Sequence, residues 1–338
     1  FTIGVTVEDR EKLDLEAIAK ECNLYGEGDN YEPSQSVALI NSLDERFERE
    51  NLVLIYDYFL TKCKKPEVLM SIIQCSDRLR DKSSLSPLLD ILLWKTDDET
   101  LEKDDFINVR VMAAKAIANL KDTSAVTPLL YCLNNKDENY KIRFACADAL
   151  GKIGDRFAVT PLIDVVKDED EKSVYLRESA ASALGMLGDM RAIDPLVSIL
   201  EAKQGILDKF TFLKERVIEA LGKLRLDKNE RVFNALKSSL MDESSQIRIN
   251  AIEALMDSDY PEAYDAIKGC LCDPNDEVKK NALIALYNMV GRKILDEVIK
   301  EPIYSDVLKV EAVSLIEEYE TDDEEDEITE RIRREFDE

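Results

Sequence analysis

Histidine occurs nowhere in the 338 residues. Its absence removes the commonest general base and the commonest metal ligand, which excludes Ser–His–Asp and Cys–His nucleophile systems and histidine-bearing zinc patterns. Glycine and proline are scarce, at 11 and 9 residues, too few for a fibrous or low-complexity chain and suited to packed helices. Neither Gly-rich phosphate loop is present, whether G-x-x-x-x-G-K or G-x-G-x-x-G. No apolar run is long enough to span a bilayer, and no secretory leader pattern is visible. Cations are short as well: 45 Lys and Arg stand against 71 Asp and Glu, a net charge of −26. Such a surface repels phosphate backbones and anionic headgroups, so nucleic acid and membrane are not expected as partners and a protein with a basic surface is. The seven cysteines (Cys22, Cys63, Cys75, Cys132, Cys146, Cys270 and Cys272) are odd in number and scattered. That pattern predicts a reducing, cytoplasmic setting rather than a disulfide scaffold.

What the chain does have is repetition. Ile142–Leu162 reads IRFACADALGKIGDRFAVTPL, and close versions begin at Val109 and Leu176. Arg110, Arg143 and Arg177 recur at intervals of 33 and 34 residues, as do Pro128, Pro161 and Pro195. A period of this size marks a repeat array. Within each copy the apolar residues follow helical spacing, as in Ile142, Ala145, Cys146, Ala149, Leu150 and Ile153. The prediction is an all-α fold, an α-solenoid of about eight antiparallel helix pairs over 51–320. These run from Leu52–Cys63 with Glu67–Leu79 to Ile294–Ile303 with Val307–Tyr319. Residues 1–50 are expected to form an N-terminal helical cap or appendage, with helices over Asp9–Cys22 and Ser34–Arg49. Residues 321–338 form an acidic tail in which Ile328, Ile332 and Phe336 predict a short capping helix.

The recurring residue types have physical reasons. Ala and Gly keep successive helices close, and the Gly154-Asp155 and Gly188-Asp189 pairs end one helix and open the turn to the next. The basic residue near the start of each second helix (Arg110, Arg143, Arg177, Lys214, Arg248, Lys279) follows an acidic turn and predicts a ladder of bonds between repeats.

The phrase D-x-x-V-R-x-x-A-A-x-A-L-G-x-I/L-G-D-x-x-A-V-x-P-L resembles the HEAT repeat, and more narrowly the short HEAT-like repeats of phycobilin lyase-type proteins. The resemblance covers 105–200 best and 213–290 more loosely, with degenerate pairs at 51–94 and 294–319. It implies architecture more than activity, because this repeat serves many roles. Phycobilin lyase-type proteins attach or detach open-chain tetrapyrroles, which implies a chromophore-handling subunit as an alternative function. Deoxyhypusine hydroxylase is also built of HEAT-like repeats and holds its di-iron centre with His-Glu pairs. A chain without histidine lacks those ligands.

Two surfaces are candidates for binding. Phe106, Tyr140, Tyr175, Phe210 and Phe212 precede successive second helices and would form either an aromatic ridge or a set of hydrophobic staples. Phe144, Asp148, Glu178, Ser182, Glu219, Glu253 and Asn288 lie off the core stripe of the second helices and predict an acidic concave face. The insertions Thr96–Asp105 and Glu201–Phe212 fall on one edge of such an array. Cys270-x-Cys272 at a helix end leaves open a metal or iron–sulfur cofactor-assembly role. No catalytic, cofactor or metal site is otherwise expected. The expected function is a non-enzymatic scaffold, adaptor or assembly factor that holds a basic protein.

Overall fold

The computed structural model describes residues 13–26, 31–94, 104–202, 211–224, 229–258 and 260–318. The predicted lead-in at 1–8, the bulk of both insertions and the tail helix through Ile328, Ile332 and Phe336 lie outside these residues. All regular structure among the described residues is helical. The chain forms two compact units, Phe1–Leu187 and Gly188–Glu338.

The first unit holds α1 (Leu15–Glu21), α2 (Pro33–Asn41), α3 (Arg49–Lys62), α4 (Pro66–Leu79), α5 (Leu85–Leu92), α6 (Asp104–Leu120), α7 (Val126–Asn134), α8 (Tyr140–Ile153), α9 (Val159–Lys167) and α10 (Val174–Leu187). The second holds α11 (Ile193–Glu201), α12 (Thr211–Lys223), α13 (Glu230–Ser239), α14 (Ser245–Met256), α15 (Ala263–Gly269), α16 (Asp276–Val290), α17 (Lys293–Lys300) and α18 (306–318). From α3 onward these make eight pairs, and within each unit second helices stack on second helices. Each unit is a stretch of α-solenoid. The helix predicted over Ser34–Arg49 stops early: α2 tightens into a 3-10 turn at Ser42–Glu45, and Phe47 lies beyond it. Ile303, predicted inside a helix, follows α17 in a turn and is exposed.

The turn between repeats is a short 3-10 segment with its own cap. Asp122, Asp155 and Asp189 each accept a hydrogen bond from the N–H two residues on, at 2.9, 2.9 and 3.0 Å. This satisfies a donor that the helix start would otherwise leave orphaned. Before these aspartates the chain turns through left-handed backbone, at Gly154 (φ 83) and Gly188 (φ 65), without steric cost. Pro128, Pro161 and Pro195 each stand third in the helix that follows, within the first turn, where a missing N–H costs nothing.

The predicted ladder forms. The Arg143 Nε donates to the Leu133 carbonyl at 2.9 Å, and its Nη1 donates to Glu171 of the next turn at 2.9 Å. Arg110 repeats this with Leu92 (2.8 Å) and Glu138 (2.6 Å). In the second unit, Lys214 reaches Asp242 at 2.9 Å, and Arg248 takes Asp273 in a fork of two 2.9 Å bonds. Lys279 departs from the pattern, since its ammonium turns back to Asp276 of its own helix at 2.6 Å.

Counting from Ile142 as position one, position six of a second helix sits on the side where the next one stacks. It is Ala114, Ala147 and Ala181 in α6, α8 and α10, but Ile218, Ile252 and Leu283 in α12, α14 and α16; all six are fully buried. The equivalent Val313 in α18 is 43% exposed.

Candidate functional site

The small residues at position six let α8 and α10 close tightly. A Cβ on Gly151 would meet the Ala183 Cα at 2.7 Å. Between α12 and α14, where position six is the bulkier Ile218, the approach is looser, and a Cβ on Gly222 would meet Ala254 only at 3.4 Å. A groove of about 1050 Å³ opens along this seam in the second unit. Leu221, Gly222 and Ala254 line it deep, with Val232 and Leu236 contributed by α13. Glu215, Arg216, Glu219 and Lys223 form the α12 wall; Gln246, Asn250, Glu253 and Asp257 form the α14 wall at helical spacing. One end is set by Tyr260, whose hydroxyl donates to the Asn229 carbonyl at 2.9 Å while its ring packs on Phe233 at 5.1 Å.

The charges in the groove do not balance. Glu219 receives both wall cations, Lys223 and Arg216, each at 2.6 Å. The Lys223 hydrogen bond holds its carboxyl below the usual glutamate range. Glu215, Glu253 and Asp257 make no ion pair and no side-chain hydrogen bond among the described residues. Burial pushes the Glu215 carboxyl up, opposed by the nearby Arg216 charge. Glu215 is a partly desolvated carboxylate whose charge no bonded cation offsets, and desolvation of this kind is what a bound cation relieves.

Of the residues singled out from sequence, the groove brings together Glu219 and Glu253. Phe144 and Asp148 lie on α8, and Glu178 and Ser182 on α10, all in the first unit. There Asp148 pairs with Lys152 at 2.8 Å, a helix-surface bond at i, i+4. Phe144 is half-exposed, and its carbonyl accepts from Ser179 at 3.3 Å. Asn288 lies on α16 and its amide reaches the Met256 sulfur at 3.7 Å. Tyr140, Tyr175 and Phe212 sit in the first turns of α8, α10 and α12, and are 46%, 63% and 60% exposed. Phe106, in the first turn of α6, packs edge-on against Trp94, which follows α5, at 6.0 Å. Phe210 lies outside the described residues. Cys270 is buried and Cys272 exposed on a 3-10 turn, so their sulfurs face different surroundings. No cluster of three or more potential metal ligands occurs among the described residues. No helix among them is long and apolar enough to cross a membrane.

The HEAT-repeat family matches residues 98–174 and 206–287, and the PBS lyase HEAT-like repeat matches 176–202. The chain is a HEAT-repeat protein. No curated protein matches it significantly. Among solved structures, human deoxyhypusine hydroxylase in complex with glycerol is 16% identical over 81% of this chain and 95% of its own, with a TM-score of 0.33. The CpcE–CpcF phycocyanin lyase complex from Nostoc sp. is 19% identical over 87% and 96%, with a TM-score of 0.39. Kap121p bound to Pho4p is 12% identical over 89% of this chain and 36% of that one, with a TM-score of 0.45. At these values the likeness assigns no activity.

Within the HEAT repeats, the groove residues that sequence reasoning missed include Glu215, Asp257, Val232 and Leu236. Glu215 and Asp257 were legible in principle, because they align with Phe144 and Lys152 as positions that the repeat leaves free. The α13 residues were not, because they read as core and line the groove only because α12 and α14 stand apart.

Proposed function

We propose that this HEAT-repeat protein is a non-enzymatic scaffold, adaptor or assembly factor that holds a partner protein by a basic surface against the exposed faces of its second helices. The observation that supports this is the set of wall carboxylates, Glu215, Glu253 and Asp257, left without cations on an open groove. The net charge of −26 extends the attraction beyond the groove and speeds encounter with a cationic partner. Binding of purified basic proteins to the immobilised chain, measured against rising salt, tests the reading. Retention should fall steeply with salt and fall again in Glu215→Gln/Glu253→Gln. Salt-insensitive binding, or a specific turnover in place of binding, would refute it.

A second reading has its own support in the PBS lyase HEAT-like match at 176–202. On that reading the chain handles an open-chain tetrapyrrole for a light-harvesting protein. Titration with a bilin should then shift its visible absorbance, and an unshifted spectrum rejects it.

A further inference from the structure

The last described helix leaves one apolar side open. α18 packs through Leu308, Ala312 and Leu315, all buried, and its Glu311 pairs with Lys280 of α16 at 3.5 Å. The side on which a further second helix would stack is fixed by α8, where it runs through positions three, six and ten. There the Phe144 carbonyl takes the Ser179 hydroxyl of α10, Ala147 is fully buried, and a Cβ on Gly151 would strike Ala183. In α18 the same positions are Val310, Val313 and Glu317, with Val307 a turn before them and Ile303 beyond it. Ile303, Val307, Val310 and Val313 are 72%, 38%, 66% and 43% exposed among the described residues. A solenoid's terminal repeat otherwise carries a polar outer face. Three β-branched residues on a water-facing helix surface lose rotamer freedom without gaining contacts. The row suits a covered surface.

The chain that follows supplies a match. Ile328, Ile332 and Phe336 are spaced by four, which sets them on one face of a helix, and Arg331 and Arg333 flank that face. α18 carries the opposite sign, at Asp306 and Glu317. The nine residues 319–327 between them reach about 30 Å when extended, and their acidic run favours extension by self-repulsion. α18 is about 20 Å long at 1.5 Å per residue, so the segment can return along it. A second copy fits less well. Stable association takes about 20–30 residues a side, and a net charge of −26 opposes self-contact. A tethered segment needs far less surface, because a short linker holds it at an effective concentration in the millimolar range. We propose that residues 328–336 fold back as a helix onto Val307, Val310 and Val313 and close this end of the repeats. The assignment is independent of the scaffold reading, since no wall carboxylate of the groove takes part.

The full chain has one tryptophan, and Trp94→Phe/Phe336→Trp moves it onto the segment. Its emission should be blue-shifted and shielded from acrylamide. Adding Val310→Asp sets a carboxylate in the contact and should lower the docked fraction about tenfold, with red-shifted emission and open quenching. Val310 faces water in the repeats themselves, so circular dichroism should show the helices unchanged. Hydrogen exchange on the chain with its native tryptophan gives a second reading. Ile332→Ser/Phe336→Ser should speed exchange of the 306–318 amides and leave those of α12 and α14 as they were. A tryptophan equally quenched with and without Val310→Asp, or exchange over 306–318 that ignores the tail variant, overturns the proposal. Light scattering that shows a dimer which Val310→Asp dissociates also overturns it, because the valine row then belongs to a second copy.

Discussion

Replacing Arg143 with methionine removes the donor that serves two acceptors, the Leu133 carbonyl and the Glu171 carboxylate, each at 2.9 Å. Both side chains of the ion pair are nearly sealed from water, with 6% and 7% of their surface exposed. The loss therefore differs from that of a surface ion pair: it leaves a desolvated carboxylate with no ion pair and only the Ser173 N–H, at 3.2 Å, to serve it. Breaking a buried pair from one side costs about 3–5 kcal/mol. The first unit spans Phe1–Leu187, and for a domain of this size each kcal/mol lowers the melting temperature by about 2–4 °C. Differential scanning calorimetry should show the transition of this unit falling by on the order of 10 °C. Lys136→Ala provides the control, because its 2.8 Å bond to Asp168 lies largely in solvent and its removal should change little. The double variant Arg143→Met/Glu171→Leu removes the stranded charge together with its partner and should recover most of the loss. If Arg143→Met melts with the control, or the double variant melts no higher than the single, the ladder is not acting as a buried charge network.

Gly151→Ala should destabilise by about 1–3 kcal/mol, since its methyl would collide with the Ala183 backbone at 2.7 Å. Gly222→Ala should be neutral or stabilising by up to about 1 kcal/mol, because its nearest contact is an ordinary 3.4 Å and Ala is the better helix former; urea denaturation compares the two. The melting temperature should fall in acid and stay level between neutral and mildly basic pH. The carboxyls of Asp81, Asp122 and Asp168 are held below the usual 3.8 by Ser83, Ser124 and Lys136 respectively. A depressed carboxyl adds stability that is present above its unfolded value and is lost as pH falls through the folded one. With no histidine to titrate, a step near pH 6.5 would contradict this account. Tyr140→Ala/Tyr175→Ala should leave the melting temperature nearly unchanged, since both rings are largely in solvent. A large fall would mean that they staple their helices instead.

Much of this architecture was legible because a repeat states each rule several times. Ile142–Leu162 and its two neighbours reveal the helix pairs to within one or two residues, except that the helix expected from Val109 already begins at Asp104, and the cation after Val109, Ile142, Leu213 and Ile247 reveals the ladder. Lys279 escaped because a flexible ammonium can turn to any near carboxylate, and Asp276 was nearer. The early end of α2 escaped because Leu43 keeps the helical spacing while the backbone has already tightened into a 3-10 turn. The acidic face was only half legible. Glu219 and Asp148 carry a lysine four residues on, at Lys223 and Lys152, which engages them, whereas Glu253 has no cation three or four residues away on either side; that difference lay in the spacing and went unread. The groove depended on a difference of side-chain volume at position six, which matters only once two particular helices lie side by side.

That same difference bears on how the chain can diverge. Where Ala147 keeps α8 and α10 nearly backbone to backbone, no substitution is small, since a single methyl at Gly151 has nowhere to go. Where Ile218, Ile252 and Leu283 fill the seams, a volume-conserving exchange can be absorbed by repacking. Relatives of this chain should accordingly hold Ala and Gly in α8 and α10 while exchanging Ile, Leu and Met freely in α12 to α16. A solenoid built this way carries one stretch that resists sequence drift and another that can change its groove, and hence its ligand, without losing its fold.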